Sequence, residues 1–154
     1  MSVQTAKLTD EDMIMSLYQE LVHSWNHKSA GNFAFLFDEN AHLVGFDGSQ
    51  MNGRAEIEIE LSQIFTHHET GSYVSKIREV RFLKPKTALL TAVAGMIPHG
   101  ETDIKPEITA IQSLVAIKTK NDDWKIALFQ NTPAQFHEKP ELAAALSAEL
   151  RKLL

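Results

Sequence analysis

No cysteine occurs among the 154 residues, which excludes disulfides, thiolate nucleophiles and zinc–thiolate sites. Clustered positive charge is missing too. Lys and Arg total 15 against 20 acidic residues, the formal net charge is −5, and no basic run occurs anywhere. Nucleic acids and anionic membrane surfaces both require clustered cations, so no nucleic acid and no membrane is expected as a partner. No window approaches the roughly 18 consecutive apolar residues that a membrane-crossing helix needs. The segment Met1 to Ala6 lacks the apolar stretch of a secretory leader. A soluble, cytoplasmic protein is expected. The chain also has no glycine-rich phosphate loop and no Gly-x-Gly-x-x-Gly fingerprint, so no cofactor is expected. His67-His68-Glu69 holds metal-ligating residue types, but adjacent helical residues do not face each other and no third ligand is suitably spaced. That run reads as a solvated helix end, and no metal site is expected.

What is present is an ordinary globular composition, 44% hydrophobic and 23% charged. A chain of this length can bury a substantial core. It predicts a single domain over residues 1–154, with a body at about 10–134 and a C-terminal helix at about 138–154.

The organising stretch is Trp124 to Pro133. It opens on an aromatic residue after a polar turn, runs apolar, becomes polar at Gln130 and Asn131, and stops at Pro133. Unpaired amides in an apolar setting are costly, on the order of 1–3 kcal/mol each. The pair therefore marks either a strand end emerging at the surface or a wet hollow the size of a ligand.

Upstream, Thr9 reads as a helix cap followed by acids, and Met13, Leu17, Leu21 and Trp25 recur every four residues with Ile14 and Val22 beside them. This predicts a helix over about 10–27. A short aromatic helix over about 33–37, a turn at Asp38-Glu39-Asn40 and a short strand over 41–46 follow. Asn52 is expected to cap a third helix over about 53–65. The period then changes to two, predicting strands over 73–83, 87–97, 107–119 and 124–132 joined as antiparallel hairpins. Several are apolar on both faces. One face is expected to cover helices, and the other to meet a second copy of the chain, giving a homodimer. In the last helix Leu142, Leu146, Leu150 and Leu153 form a stripe that should dock on the protein.

This order resembles the nuclear-transport-factor-2-like superfamily, an α+β cone in which a curved, mostly antiparallel sheet wraps on three helices. Within it the chain is similar to the SnoaL-like branch, and most to the SgcJ/EcaC family. The residues that carry the resemblance are Trp25-Asn26, Phe33 to Ala41, Phe46-Asp47-Gly48, Gly53-Arg54-Ala55-Glu56-Ile57, Val80 to Pro85 and Trp124 to Pro133. The ketosteroid isomerases of this superfamily use a Tyr in the first helix and an Asp base in the first strand. The matching positions here, placed by Asn26 and Gly48, hold Leu21 and Gly45. Isomerase chemistry by that route is not expected, and whether any reaction is catalysed stays open.

The candidate pocket residues are Trp25, Phe37, Leu43, Asp47, Gln112, Phe129, Gln130 and Asn131. The aromatic residues would wall a pocket or simply pack in the core. Leu43 and Asp47 share a strand face with Gly45, so Asp47 is either a base at the rim or a turn residue before Gly48. Alternation places Asn131 with Phe129 and Ala127, and Gln130 with Leu128 and Ile126. Asn131 is a ligand contact or a structural hydrogen bond, Gln130 an outward or interface residue or a pocket one. Either Gln112 or Ser113 is expected to oppose Asn131 across the strand pair. Arg54 at a helix start is expected to be held by Asp47, and His42 to face away from the pocket. These residues imply a protein that binds a small apolar or carbonyl-containing molecule. The alternative is a non-enzymatic dimerisation module with a filled cone.

Overall fold

The computed structural model describes residues 8–154, so the expectation for Met1 to Ala6 lies outside the described residues. Thr9 starts the first helix as a reciprocal cap. Its hydroxyl accepts from the Asp12 backbone N–H at 3.1 Å, and the Asp12 carboxylate accepts from the Thr9 N–H at 3.3 Å. Helix α1 runs Asp10–Asn26 and buries Ile14, Leu17, Tyr18, Leu21 and Ser24. That face is rotated from the expected stripe, for Met13 is 36% exposed and Tyr18 only 1%. Ser29 caps the six-residue helix α2, Ala30–Phe35. The aromatic helix therefore starts and ends earlier than the sequence suggests, and Phe37 opens strand β1, Phe37–Val44.

Asp38-Glu39-Asn40, expected as a turn, lies inside β1. Phe37 pairs with Ile126 and His42 with Leu128, so the residues between them bulge out of the ladder. A short strand that the sequence did not announce, β2 (Gln50–Asn52), folds back antiparallel on β1. Helix α3, Arg54–His67, follows with Gly53 at its cap and no side-chain capping bond. Asn52 does not cap it. Its side chain meets His42 Nδ1 at 2.8 Å, and its backbone N–H donates to the Glu56 carboxylate.

Strands β3 (Ser72–Lys84), β4 (Thr87–Ile97), β5 (Ala110–Lys118) and β6 (Trp124–Pro133) form the expected antiparallel meander, with a 3-10 turn at Pro106–Ile108 before β5. The six strands lie in the order β2-β1-β6-β5-β4-β3. The β1–β6 pairing is parallel, because α3 and the meander return the chain to the sheet centre in the same sense. The α+β architecture is that of a curved sheet wrapped on helices.

Helices α1 and α2 and the inner face of α3 fill the concave side. Ile14, Leu17, Leu21, Phe33, Phe37, Ile57 and Leu61 pack there on Leu90, Leu114 and Ile126. The alanines at 88, 92 and 116 are fully buried on the same sheet face, and their small side chains let α1 lie close. Phe37 stacks on Phe33 with ring centroids 5.4 Å apart.

The convex face carries the last helix, α4 (Pro140–Arg151). Leu146 and Leu150 are buried against Val93 and Ile104, and Leu142 and Leu153, expected in the buried stripe, are 43% and 45% exposed. The seat is made by Gly95. A Cβ there would stand 3.2 Å from Leu150 Cδ1 and 3.1 Å from Ile104 Cγ2, so even a methyl group would press on both side chains. Glu149 clasps α4 to β3 through a forked pair with Arg78 and a 3.2 Å contact with Lys76. The Arg78 bond holds its carboxyl down at about 2. Leu150→Ala should lower the unfolding free energy by roughly 2–5 kcal/mol in urea titration. A midpoint unchanged from the parent would mean that α4 adds nothing to the body of the protein.

Candidate functional site

A cavity of about 350 Å³ lies at the wide end of the cone, between α1, the end of β1, β3 and the β5–β6 pair. Its walls are apolar: Leu21, Val22, Trp25, Phe33, Leu43, Phe46, Met51, Leu61, Ile64, Met96, Ile108 and Phe129. The polar groups on it are Asp47, Ser49, Tyr73, Gln112 and Asn131. Of the eight candidates from the sequence, Trp25, Leu43, Asp47, Gln112, Phe129 and Asn131 meet around this one space. Phe37 and Gln130 do not. Phe37 is fully buried behind Phe33, as core. Gln130 is exposed opposite Ser113 on the convex face.

The β6 geometry explains the second exclusion. Val115 pairs with Leu128 but Ala116 pairs with Ile126, so Ala127 is an extra residue in the ladder. The bulge breaks the alternation that grouped Ile126 with Gln130. Trp124, Ile126 and Phe129 all turn inward, and Asn131 follows Phe129 onto the cavity side. Gln112, not Ser113, is the residue that opposes Asn131, and its Nε2 donates to Asn131 Oδ1 at 2.8 Å.

Gln112 is 2% exposed, a burial that an amide tolerates only when bonded at both ends. Its other end accepts from the Tyr18 hydroxyl. Burial pushes the Tyr18 hydroxyl well above the usual phenol range. Tyr18 is thus a support behind the cavity wall, and the sequence reading missed it. The available signal was its position four residues after Ile14 and three before Leu21.

Tyr73 was missed as well. It sits at the start of β3, held by a two-pronged bond to Asn26, whose Nδ2 donates to Tyr73 O at 3.0 Å and whose Oδ1 accepts from Tyr73 N at 2.8 Å. Trp25 reinforces this corner, donating Nε1–H to Gly71 O at 3.0 Å and packing on the Tyr73 ring at 5.5 Å. Gly71 lets this corner close on β4, because a Cβ there would stand 2.5 Å from Ile97 O. Burial pushes the Tyr73 hydroxyl up to about 12. Among the described residues no hydrogen bond to that hydroxyl is present, and the half-buried Tyr73 keeps it in reach of solvent.

At the rim, Asp47 accepts from the Ser49 hydroxyl at 2.6 Å and the Ser49 N–H at 2.9 Å. These bonds hold its carboxyl below the usual range, so it is a turn-locked carboxylate and a weak base. It does not reach Arg54, whose Nη1 lies 3.5 Å from Phe37 O instead. His42 faces away from the cavity and is exposed. The titratable groups at the cavity are therefore an anion with lowered proton affinity and a phenol that stays protonated. Neither is poised near neutrality for proton transfer.

No protein-family model matches the chain, and no curated protein matches it in sequence. Solved structures do. A domain of unknown function with a cystatin-like fold from Nostoc punctiforme superposes with a TM-score of 0.80 at 26% identity, over 96% of this chain and 93% of that one. An NTF-2-like protein of unknown function from Shewanella oneidensis gives 0.67 at 19% identity, over 80% and 99%. A ketosteroid isomerase-like protein from Erwinia carotovora atroseptica gives 0.65 at 12%, over 83% and 99%. The fold is nuclear-transport-factor-2-like. In this nuclear-transport-factor-2-like cone Leu21 and Gly45, the positions singled out by the resemblance to ketosteroid isomerases, both line the cavity, and neither an isobutyl group nor a hydrogen can move a proton.

Tyr18 and Tyr73 are the two tyrosines of the chain, which makes them easy to titrate. With folded values raised above the ordinary 10.0, their protonated state stabilises the fold below that pH and the contribution fades as pH climbs past it. Ultraviolet difference spectra should show no tyrosinate in the folded protein at pH 10 to about 11, and its abrupt appearance on alkaline unfolding. A smooth titration centred near the ordinary value would contradict the burial of both rings.

Proposed function

We propose that this chain is a small-molecule-binding protein whose ligand, largely apolar, enters the cone cavity. The observation that carries the reading is the cavity's composition: about 350 Å³ of space walled by aromatic and aliphatic side chains, with a few polar groups among them. A core that only supported the fold would gain roughly 1 kcal/mol for each methyl-sized void it filled. The resemblance to the SnoaL-like and SgcJ/EcaC proteins over residues 10–134 points the same way, with the chain read as one domain that includes α4. Binding rather than proton transfer fits the lowered Asp47 and the raised Tyr73.

The apolar fluorophore N-phenylnaphthylamine should bind with enhanced emission. Ile108 is half-exposed at the cavity mouth, so Ile108→Trp narrows the entrance without disturbing the core. That variant should weaken probe binding about tenfold or more while leaving the melting temperature near the parent value. Absence of probe binding to the parent, or unchanged binding to Ile108→Trp, would count against the cavity as the site.

A second reading, a dimerising module, is favoured by the part of the convex face that α4 leaves open. Leu89, Val115 and Leu128 form one cross-strand row there, each half-exposed, with Ile117 beside them. A homodimer through this row is compatible with ligand binding on the concave side. Light scattering should give about twice the 17.3 kDa chain mass at micromolar concentration, and a monomer would exclude the dimer.

A further inference from the structure

We infer that the cavity is built to receive a hydrogen-bond acceptor, a carbonyl-type oxygen, and that Tyr18 determines this without touching the ligand. This rests on the reading of the cavity as a binding site and adds the polarity of its floor. A phenol is a strong donor and a weak acceptor, and the Tyr18 hydroxyl, 1% exposed with its residue, meets Gln112 Oε1. The carbonyl end of an amide has no proton to give, so in this contact the Tyr18 proton is directed toward Gln112.

With Gln112 Oε1 occupied as an acceptor, the other end of its amide can only donate, and it donates to Asn131 Oδ1 at 2.8 Å. That bond takes one lone pair of the Asn131 carbonyl and fixes which end of its amide faces Gln112. The Asn131 Nδ2 carries two N–H groups with no partner among the described residues, and the side chain lines the cavity. Tyr73 lines the same space, and its hydroxyl stays protonated through neutral pH. Each step of the relay hands a donor to the next, and the cavity floor ends in donors. An acceptor oxygen satisfies the Asn131 N–H groups, whereas a ligand that only donates leaves them unpaired.

Tyr18 is thus a positioning residue. If it cannot donate, Gln112 and Asn131 can both turn over and present an acceptor instead. The test uses three probes of similar shape measured by isothermal titration: naphthyl methyl ketone, which only accepts, ethylnaphthalene, which does neither, and benzindole, which only donates. The parent should bind the ketone about tenfold or more tighter than either other probe. Tyr18→Phe should bring the ketone-to-benzindole ratio toward one while leaving ethylnaphthalene affinity unchanged, a pattern that simple destabilisation would not give. Asn131→Asp, a near-isosteric change at a half-exposed position, removes the donor directly. It should abolish the ketone preference even where Tyr18→Phe folds poorly. Benzindole binding as tightly as the ketone, or a ratio unmoved in both variants, overturns the relay. Ethylnaphthalene failing to bind at all overturns the cavity reading beneath it, whereas equal binding of all three overturns the relay alone.

Discussion

A neutral amide at the centre of an apolar sheet is the constraint on which much of this protein depends. Gln112 is buried among alanine and leucine side chains, where an unpaired amide would cost on the order of 1–3 kcal/mol. It is satisfied from two directions at once, by Tyr18 on α1 and by Asn131 on β6. That requirement ties the rotation of the first helix to the register of the last two strands. It also explains why α1 turns Tyr18 inward and lets Met13 reach solvent, against the simpler four-residue stripe.

A second pin holds the other side of the cone. Asn26 satisfies the backbone of Tyr73 as a neighbouring strand would, and the Trp25 indole bonds to Gly71 next to it. The end of α1 thereby takes the place of a strand at the edge of β3. The two pins lie on either side of the same space, and the walls between them are held apart. That spacing is why the core, close-packed around Phe37 and Leu90, opens at one end into a cavity. Opening costs dispersion contacts.

The convex face is managed by a different device. Strands apolar on both sides expose a surface prone to association. Here one end of that surface is covered from within the same chain, by Leu146 and Leu150 over the Gly95 seat, with Glu149 clasped to Arg78. The remaining row of Leu89, Val115 and Leu128 is separated from α4 by the polar row of Thr91, Ser113 and Gln130. Gln130 is therefore outward because the convex face needs polarity between two apolar strips.

By itself the sequence determined the things that depend on local chemistry. The Thr9 cap, the long amphipathic helix, the strand meander and the docking of a C-terminal helix all follow from capping, periodicity and turn residues read over a dozen positions. So does the opposition of one of the neighbours Gln112 and Ser113 to Asn131, since the two strands are joined by a tight turn, although only the folded register selects Gln112. Tertiary structure decided what depends on partners far away in the chain. Whether Asp38-Glu39-Asn40 is turn or strand was settled by β6, which lies some ninety residues later and gives β1 a ladder to bulge from. Which side of β6 faces the cavity was settled by one extra residue, Ala127, invisible to any alternation count. Tyr18 and Tyr73 entered the site because only the folded chain brings a buried amide and an open corner to them. Local pattern fixes the direction in which a side chain tends to point. The cost of burying its polar atoms, which depends on what the fold places opposite, decides where it ends.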